Sequence, residues 1–522
     1  MPTFTNGPGV YVNEALTSNF IRPVANGPVA AFFGTAARGP ETATLVTDWV
    51  SYKKLFGDLE DTYDLGYSVY HFFANGGRNA YIVRVIPTDT EEEPIVPTAS
   101  SASFGYYPTD ASASAESVVH LLDVDAISVG TWGNSLSVEV SNGLTLSTFA
   151  IAVKYGTTEV ERWPELSLDP NSSRYVATIV NTYSQYIKVH NVAGADPDVG
   201  FGREDTLATF ATAYTTLASG TQGDSLRAAD WSDAFDKIDL IEGDMVWNAV
   251  GLTLSDASSL STLVGKAETR GNAFVVIDPS KGLTSAVDIL SESSPLSSFS
   301  SKGYAAYYAP CLKMVDPAKR GPGAIRVTYP GGAIVGMMAR LQVQRSVAVA
   351  PAGYKADIVG AIGLETVISS ADIGTMYENA SNPINTFKAI PGAGISVYGA
   401  RTLNISAPDK FIPVRRTLNY LKHQLKERSA FAVFEPNDTN LWLKIGASLS
   451  GFLTDFYQSG GLKGNSPAEA YYVICDSTNN TATSIDEGIV NIEVGVSLLY
   501  PAEYIVLNIS QWTGGSSSAE AL

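Results

Sequence analysis

Hydrophobic and polar positions along the chain follow two periods, and the changes between them place the elements. In "PGVYVNEA", Pro8 to Ala15, Val10 and Val12 alternate with Tyr11 and Asn13, which predicts a half-buried strand. No tight turn joins it to a partner in the following "LTSNFIRPVANGP", and a lone strand leaves its backbone groups unpaired. Its partner must lie elsewhere. "VAAFFGTAARGP" is a continuous apolar run that closes in a Gly-rich turn, the pattern of a buried strand. "TDWVSYKKLFGD" and "LGYSVYHFFANGG" predict helices, the second stopped by Gly76 or Gly77, and "NAYIVRVIP" predicts a strand. Further on, "DLIEGDMVWNAVGL", "SDASSLSTLVGKAETRG" and "NAFVVIDPSKG" read strand–helix–strand, the signature of a βαβ crossover in a parallel sheet.

Between these α/β patterns lies a different stretch, residues 91–235. It opens with the linker-like "PTDTEEEPIVPTASSASFG" and continues with short alternations, "NSLSVEVSNG", "FAIAVKYG" and "QYIKVHNV". The recurrence of alternation between turn signals predicts an inserted, mostly-β module. Charge marks the same limits: the stretch holds 6 Lys/Arg and 19 Asp/Glu, so −13 of the total −19 sits there.

The last quarter predicts a helix over "PVRRTLNYLKHQLKERSAF" with Pro413 in its first turn. A second follows "EPNDTN", capped by Asn437 or Asp438, and stops at Ser459–Gly461. Three strand candidates come next: "AEAYYVICD", "GIVNIEVGVSLL" and "AEYIVLNISQW". The closing "TGGSSSAEAL" has the composition of a disordered tail. At about 100° per residue, Val414, Leu418, Leu421 and Leu425 of the first helix share one arc. Arg415, Lys422 and Lys426 share the adjacent one, with Asn419 beside them and Arg416 and His423 next around the helix. Residues 401–430 carry seven Lys/Arg against two Asp/Glu, a net +5 within an acidic chain. Such a face is either a solvated basic surface or a docking face for an acidic partner.

Composition narrows the functional classes. A chain of 522 residues is long enough for more than one domain, and a net charge of −19 argues against binding nucleic acid or an anionic membrane. No apolar run reaches 18 residues, and no signal-like h-region follows Met1, so a soluble, cytoplasmically made protein is expected. Cys311 and Cys475 both sit in apolar surroundings and are expected to be buried thiols. His71, His120, His190 and His423 form no metal-ligand spacing, and neither a P-loop nor a G-x-S-x-G elbow is present. "GAGISVYG" has the wrong spacing for a dinucleotide loop, and "DPDVGFGRED" reads as an acidic solvated loop. No catalytic constellation, cofactor site or metal site is expected.

Several segments resemble, in order, the tail sheath proteins of contractile bacteriophage tails and related injection systems. They are "PGVYVNE", "AFVVIDP", "GYAAYYAPCLKMVDP" and "GGAIVGMMARLQVQRSVAVAPAG", then "GISVYGARTLN", "IPVRRTLNYLKHQLKERSAFAVFEPNDTNLW", "GGLKGNSPAEAYYVICDSTNN" and "VGVSLLYPAEYIVLNI". The insert is not covered. The chain departs from the family at "TYPGGAIVG", where a Pro-Pro-Ser-Gly-like turn is usual, and at Val347-Ala348-Val349, where a Trp-Lys pair is common.

The resemblance implies a multidomain α/β protein with an α+β C-terminal core. Residues 1–24 are then an N-terminal linking arm, 25–90 plus 236–385 a βαβ-type middle domain, and 91–235 a peripheral acidic module. Residues 386–510 form the sheath core and 511–522 a tail. The implied role is structural and not enzymatic. Stacked, hexameric rings surround an inner tube and contract to drive it through a cell envelope, on stored conformational energy. Partners implied are further copies of the chain, the inner tail tube, baseplate and tail terminator proteins, in a virion tail assembled in the host cytoplasm. Terminal arms that add strands to neighbours' sheets would use Val10, Tyr11 and Val12 at one end and Ile505, Val506 and Leu507 at the other. The basic arc, Arg415, Lys422 and Lys426, would grip the tube. An α/β enzyme with a decorative insert, or a surface binding protein acting through 91–235, are the alternatives.

Overall fold

The computed structural model describes residues 29–88, 96–107, 119–144, 148–192, 209–210, 214–299, 302–321, 323–379, 383–406 and 409–504. The two expected arm strands, Val10–Val12 and Ile505–Leu507, lie outside these residues.

The first apolar run becomes β1 (Val29–Gly34), buried along its whole length. Its side chains alternate between two cores. Ala31 and Phe33 face one, with Trp247 and Phe235; Ala30 and Phe32 face the other, with Phe72. Each buried phenylalanine contributes about 1.5–3 kcal/mol. An edge strand β2 (Thr44–Val46) precedes helices α1 (Trp49–Phe56) and α2 (Asp64–Ala74). Asp48 caps α1 by accepting from the Ser51 amide at 2.7 Å. Strand β3 (Asn79–Arg84) follows, then the insert, α3 (Ala228–Asp236), β4 (Met245–Ala249), α4 (Ala257–Arg270) and β5 (Ala273–Ile277). The chain continues through β6 (Ala305–Tyr308), β7 (Leu312–Val315), β8 (Ile325–Thr328), α5 (Gly331–Gln344) and β9 (Ala361–Leu364). Helix α6 (Ser370–Tyr377) and strands β10 (Ile384–Ile390) and β11 (Gly394–Tyr398) complete this part.

The main sheet has eight strands in the order β11-β10-β6-β5-β4-β1-β3-β2. The run from β10 to β3 is parallel, with the predicted βαβ unit in register as Met245↔Ala273, and β11 and β2 are antiparallel edges. Helices α3 and α4 cover one face, and α1, α2 and α5 cover the other, giving three layers. Helices α2 and α5 pack with their backbones close together. A Cβ at Gly332 would sit 2.1 Å from the Ser68 carbonyl oxygen, and one at Gly336 would sit 2.3 Å from that of Phe72. Only glycine permits that approach. Strands β8-β7-β9 form a small antiparallel sheet beside the main one. Arg326 on β8 ties it to the start of α2 through Asp61 at 2.8 Å and Asp64 at 3.0 Å.

Residues 96–222 hold two four-stranded antiparallel sheets around one core that includes Leu122, Val124, Val138, Ile151 and Val153, as the alternations predicted. The limits of the insert differ from the charge-based ones. Helix α3 belongs to the α/β unit, where Phe235 lies edge-on to Phe33 at 5.1 Å. Its acidic residues placed it with the insert, whereas its apolar face packs on the sheet. Strands β10 and β11 likewise extend the main sheet past residue 385. Where the insert leaves and returns, the chain is stitched together. Thr88 donates to Asp230 from its amide at 2.8 Å and its hydroxyl at 2.7 Å, and Arg227 donates to the Thr88 carbonyl at 2.6 Å. Both cysteines are free; Cys311 is buried, but Cys475 is only half-buried. No described helix is long and apolar enough to cross a membrane.

Candidate intersubunit site

In parallel sheets of this kind, ligands bind at the carboxyl ends of the strands where the strand order reverses. Here that point lies between β1 and β4, and the segment that leaves β1 beside it is pinned from within the chain. Arg84, at the end of β3, donates to the carbonyls of Ala36 (3.0 Å), Ala37 (3.2 Å), Gly39 (3.4 Å) and Val129 (2.9 Å), the last from the insert. Arg84 is 1% exposed, and burial pushes its pKa down to about 10. Arg38 stacks on Tyr186 and Trp132 of the insert, 4.6 and 5.3 Å from the ring centres. The amino end of α5, where an anion could sit, is taken by Asp278, which accepts from the Gly331 amide and from Asn248, each at 2.7 Å. Burial pushes that carboxyl up to about 7. The sequence carried both signals, an arginine in the apolar "NAYIVRVIP" and an aspartate ending "VVID", but not what they meet.

On the insert, His120 lies 3.0 Å from Asp123, and His190 lies 3.5 Å from Asp125. Among the described residues, no group of three or more His, Cys, Asp or Glu is placed to hold a metal ion. His71 is buried in α2, where desolvation lowers its pKa to about 4 and leaves it neutral.

The C-terminal region begins with the predicted basic helix, α7 (Ile412–Ser429), with Pro413 in its first turn. Helix α8 (Thr439–Gln458) follows, and Asp438, one of the two expected caps, accepts from the Leu441 amide at 2.8 Å. Leu421 and Leu425 of α7 meet Phe452 and Phe456 of α8 in a separate core. Against it lie β12 (Tyr471–Ile474) and β13 (Glu493–Val496), paired Tyr471↔Val496 to Ile474↔Glu493. Val473, Val494 and Val496 turn towards α8. On the outer face, Tyr472 covers Gly495 directly opposite and donates to Glu493 at 2.8 Å. Among the described residues this sheet has two strands, so each strand keeps an edge that no described strand covers. A two-stranded sheet is marginal by itself.

The basic arc makes contacts within the subunit. Arg415 is 2% exposed, paired with Asp409 at 2.7 Å and bonded to the Tyr304 hydroxyl at 3.1 Å, with its guanidinium over that ring. Lys422 donates to the same hydroxyl at 3.3 Å, and Lys426 reaches Glu242 at 2.9 Å. Asn419 donates to the Ala273 carbonyl at the amino end of β5, at 3.1 Å. These side chains fasten α7 to the amino edge of the main sheet within one subunit. Helical periodicity groups them on one face, but Tyr304 and Glu242, which meet that face, come from well upstream in the chain.

Residues 408–511 match the family described as phage tail sheath C-terminal domain. These residues are thus similar to the C-terminal domain of tail sheath proteins. The matched domain contains α7, α8 and the β12–β13 sheet. The tail sheath protein of Enterobacteria phage T4 is 31% identical over 192 residues, 36% of this chain and 27% of the relative. The chain thus spans about a quarter of that relative's length. The fold of the crystallised sheath tail protein from Listeria innocua aligns with a TM-score of 0.59 at 11% identity, covering 91% of this chain and 96% of the other. The helical sheath of the anti-feeding prophage in its contracted state aligns with a TM-score of 0.53 at 16% identity, covering 97% and 100%. The proteins matched are tail sheath proteins.

Proposed function

We propose that the chain is a subunit of a contractile tail sheath. It polymerises as stacked, hexameric rings around an inner tube and shortens to drive the tube through a cell envelope. The observation that carries the reading is the β12–β13 sheet within the tail sheath domain, supported by α8 on one face and left with uncovered edges among the described residues. Strands contributed by neighbouring copies would complete it, the N-terminal arm through Val10, Tyr11 and Val12, and the C-terminal arm through Ile505, Val506 and Leu507. Backbone ladders suit this task because they hold subunits together while the rigid α/β units turn about them. Tube, baseplate and terminator proteins are the further partners, and the virion tail is the proposed location, after assembly in the host cytoplasm.

Electron microscopy of the purified chain at high concentration tests the reading. Rings or tubes are expected, and persistent monomers would overturn it. Deleting residues 1–15 should leave a folded subunit that no longer forms a coupled sheath; normal contraction by that variant would refute the N-terminal arm.

A further inference from the structure

After β13 the chain does not stay with its own sheet. Ser497 is held by the Ala470 carbonyl at 2.8 Å, and Leu498 still packs in the α7–α8 core. Tyr500 then lies edge-on to Phe411, the residue before α7, with ring centres 6.0 Å apart. Three residues on, Glu503 meets Arg401. Arg401 is 4% exposed, and its guanidinium donates to both Glu503 carboxylate oxygens at 2.7 and 3.2 Å, a bidentate pair. Its remaining bonds go to the Tyr377 carbonyl at 2.8 Å and Glu378 at 3.1 Å, and it lies 4.0 Å from the centre of the Tyr377 ring. The Tyr377 hydroxyl also donates to Glu503, and that of Tyr504 donates to Glu378. Burial opposes ionisation of Glu503, yet the bonds from Arg401 and Tyr377 hold its pKa below the ordinary range.

The β12–β13 sheet lies by Leu425, whereas this clamp sits by Phe411 at the other end of α7. Four residues lead from Val496 to Tyr500, a reach of about 14 Å. The chain has therefore turned from its own sheet to the start of α7 before residue 505. We propose that the Arg401–Glu503 clamp anchors the root of the C-terminal arm to the α/β unit, directing the strand beyond it to the β12–β13 sheet of a second copy of this chain. The inference rests on the linking-arm reading above. It adds that tension on the arm passes into α6 and β10–β11 of the donor, not into the donor's own C-terminal sheet.

The test compares the full chain, its Glu503→Gln variant and a deletion of 505–522, by hydrogen exchange and by polymer formation under the electron microscope. Glu503→Gln keeps side-chain size and leaves Glu378 beside Arg401, so the subunit stays folded by circular dichroism. Amides 497–504 should exchange about tenfold faster, and polymers should be short and disconnected, as with the deletion but less severely. Unchanged exchange, or normal polymers from Glu503→Gln beside defective ones from the deletion, would overturn the anchor and leave the arm standing. Normal polymers from the deletion would instead overturn the arm itself. Should Glu503→Gln lose its fold, Tyr377→Phe, which removes one donor to Glu503, gives the same readouts with a smaller expected change.

Discussion

Replacing Arg84 by methionine should uncouple the insert from the α/β unit. Methionine retains much of the stem but withdraws the donors from four carbonyls, three of them bonded at 3.2 Å or less. Each buried carbonyl left without a donor costs about 1–3 kcal/mol, so the gross loss is about 3–9 kcal/mol. Relief from burying a charge works the other way. Lowering the arginine pKa from 12.5 to about 10 corresponds to about 3 kcal/mol regained when the charge goes. The net expectation is a loss of about 3 kcal/mol, in line with breaking a buried charged contact. Urea unfolding followed by circular dichroism reads that loss. Limited proteolysis should show new cleavage in 84–100 and 217–227, where the insert joins. Stability within about 1 kcal/mol of the parent, with an unchanged cleavage pattern, would refute the view that Arg84 ties the insert to the α/β unit.

Gly332→Ala should destabilise by about 2 kcal/mol or more, because its Cβ meets the Ser68 carbonyl and neither backbone can yield cheaply; an unchanged melting temperature would contradict the close α2–α5 packing. Asp278 gives a pH dependence of definite sign. Its carboxyl is raised from 3.8 to about 7 in the folded chain, so the unfolded chain releases the proton first. Its contribution is therefore full below about pH 4 and lost as pH rises towards and through 7, by at most about 4 kcal/mol. The difference in urea midpoint between pH 5 and pH 8 should be smaller in Asp278→Asn than in the parent, and equal differences would refute this.

Elements whose pattern is local were legible in the sequence. The apolar run of β1, the βαβ unit of β4, α4 and β5, the Pro413 start of α7 and the stop at Ser459 all follow from residues within a few positions of one another. The mostly-β character of the insert was also legible, but its limits were not. Surface charge says which residues face water, whereas Trp231 and Phe235 show which face meets the sheet. The internal contacts of the basic arc were not legible either. A face that is charged by composition can also make contacts within the subunit when Tyr304 and Glu242 supply partners from distant parts of the chain. Arg401 and Glu503 were missed altogether, since a pair separated by 102 positions leaves no local trace.

The stitched neck at Thr88, Arg227 and Asp230 has a consequence for how such a chain can change over generations. With its exit and return held side by side, the α/β unit experiences everything between them as one closed loop. Doubling the length of such a loop costs only about 0.6 kcal/mol in closure entropy. Any folded module whose ends lie similarly close can therefore be exchanged for this one without disturbing strand order, while the contacts of Arg38 and Arg84 decide how firmly the newcomer is seated. The insert is in this sense a cassette, free to diversify while the sheet and the C-terminal domain stay fixed.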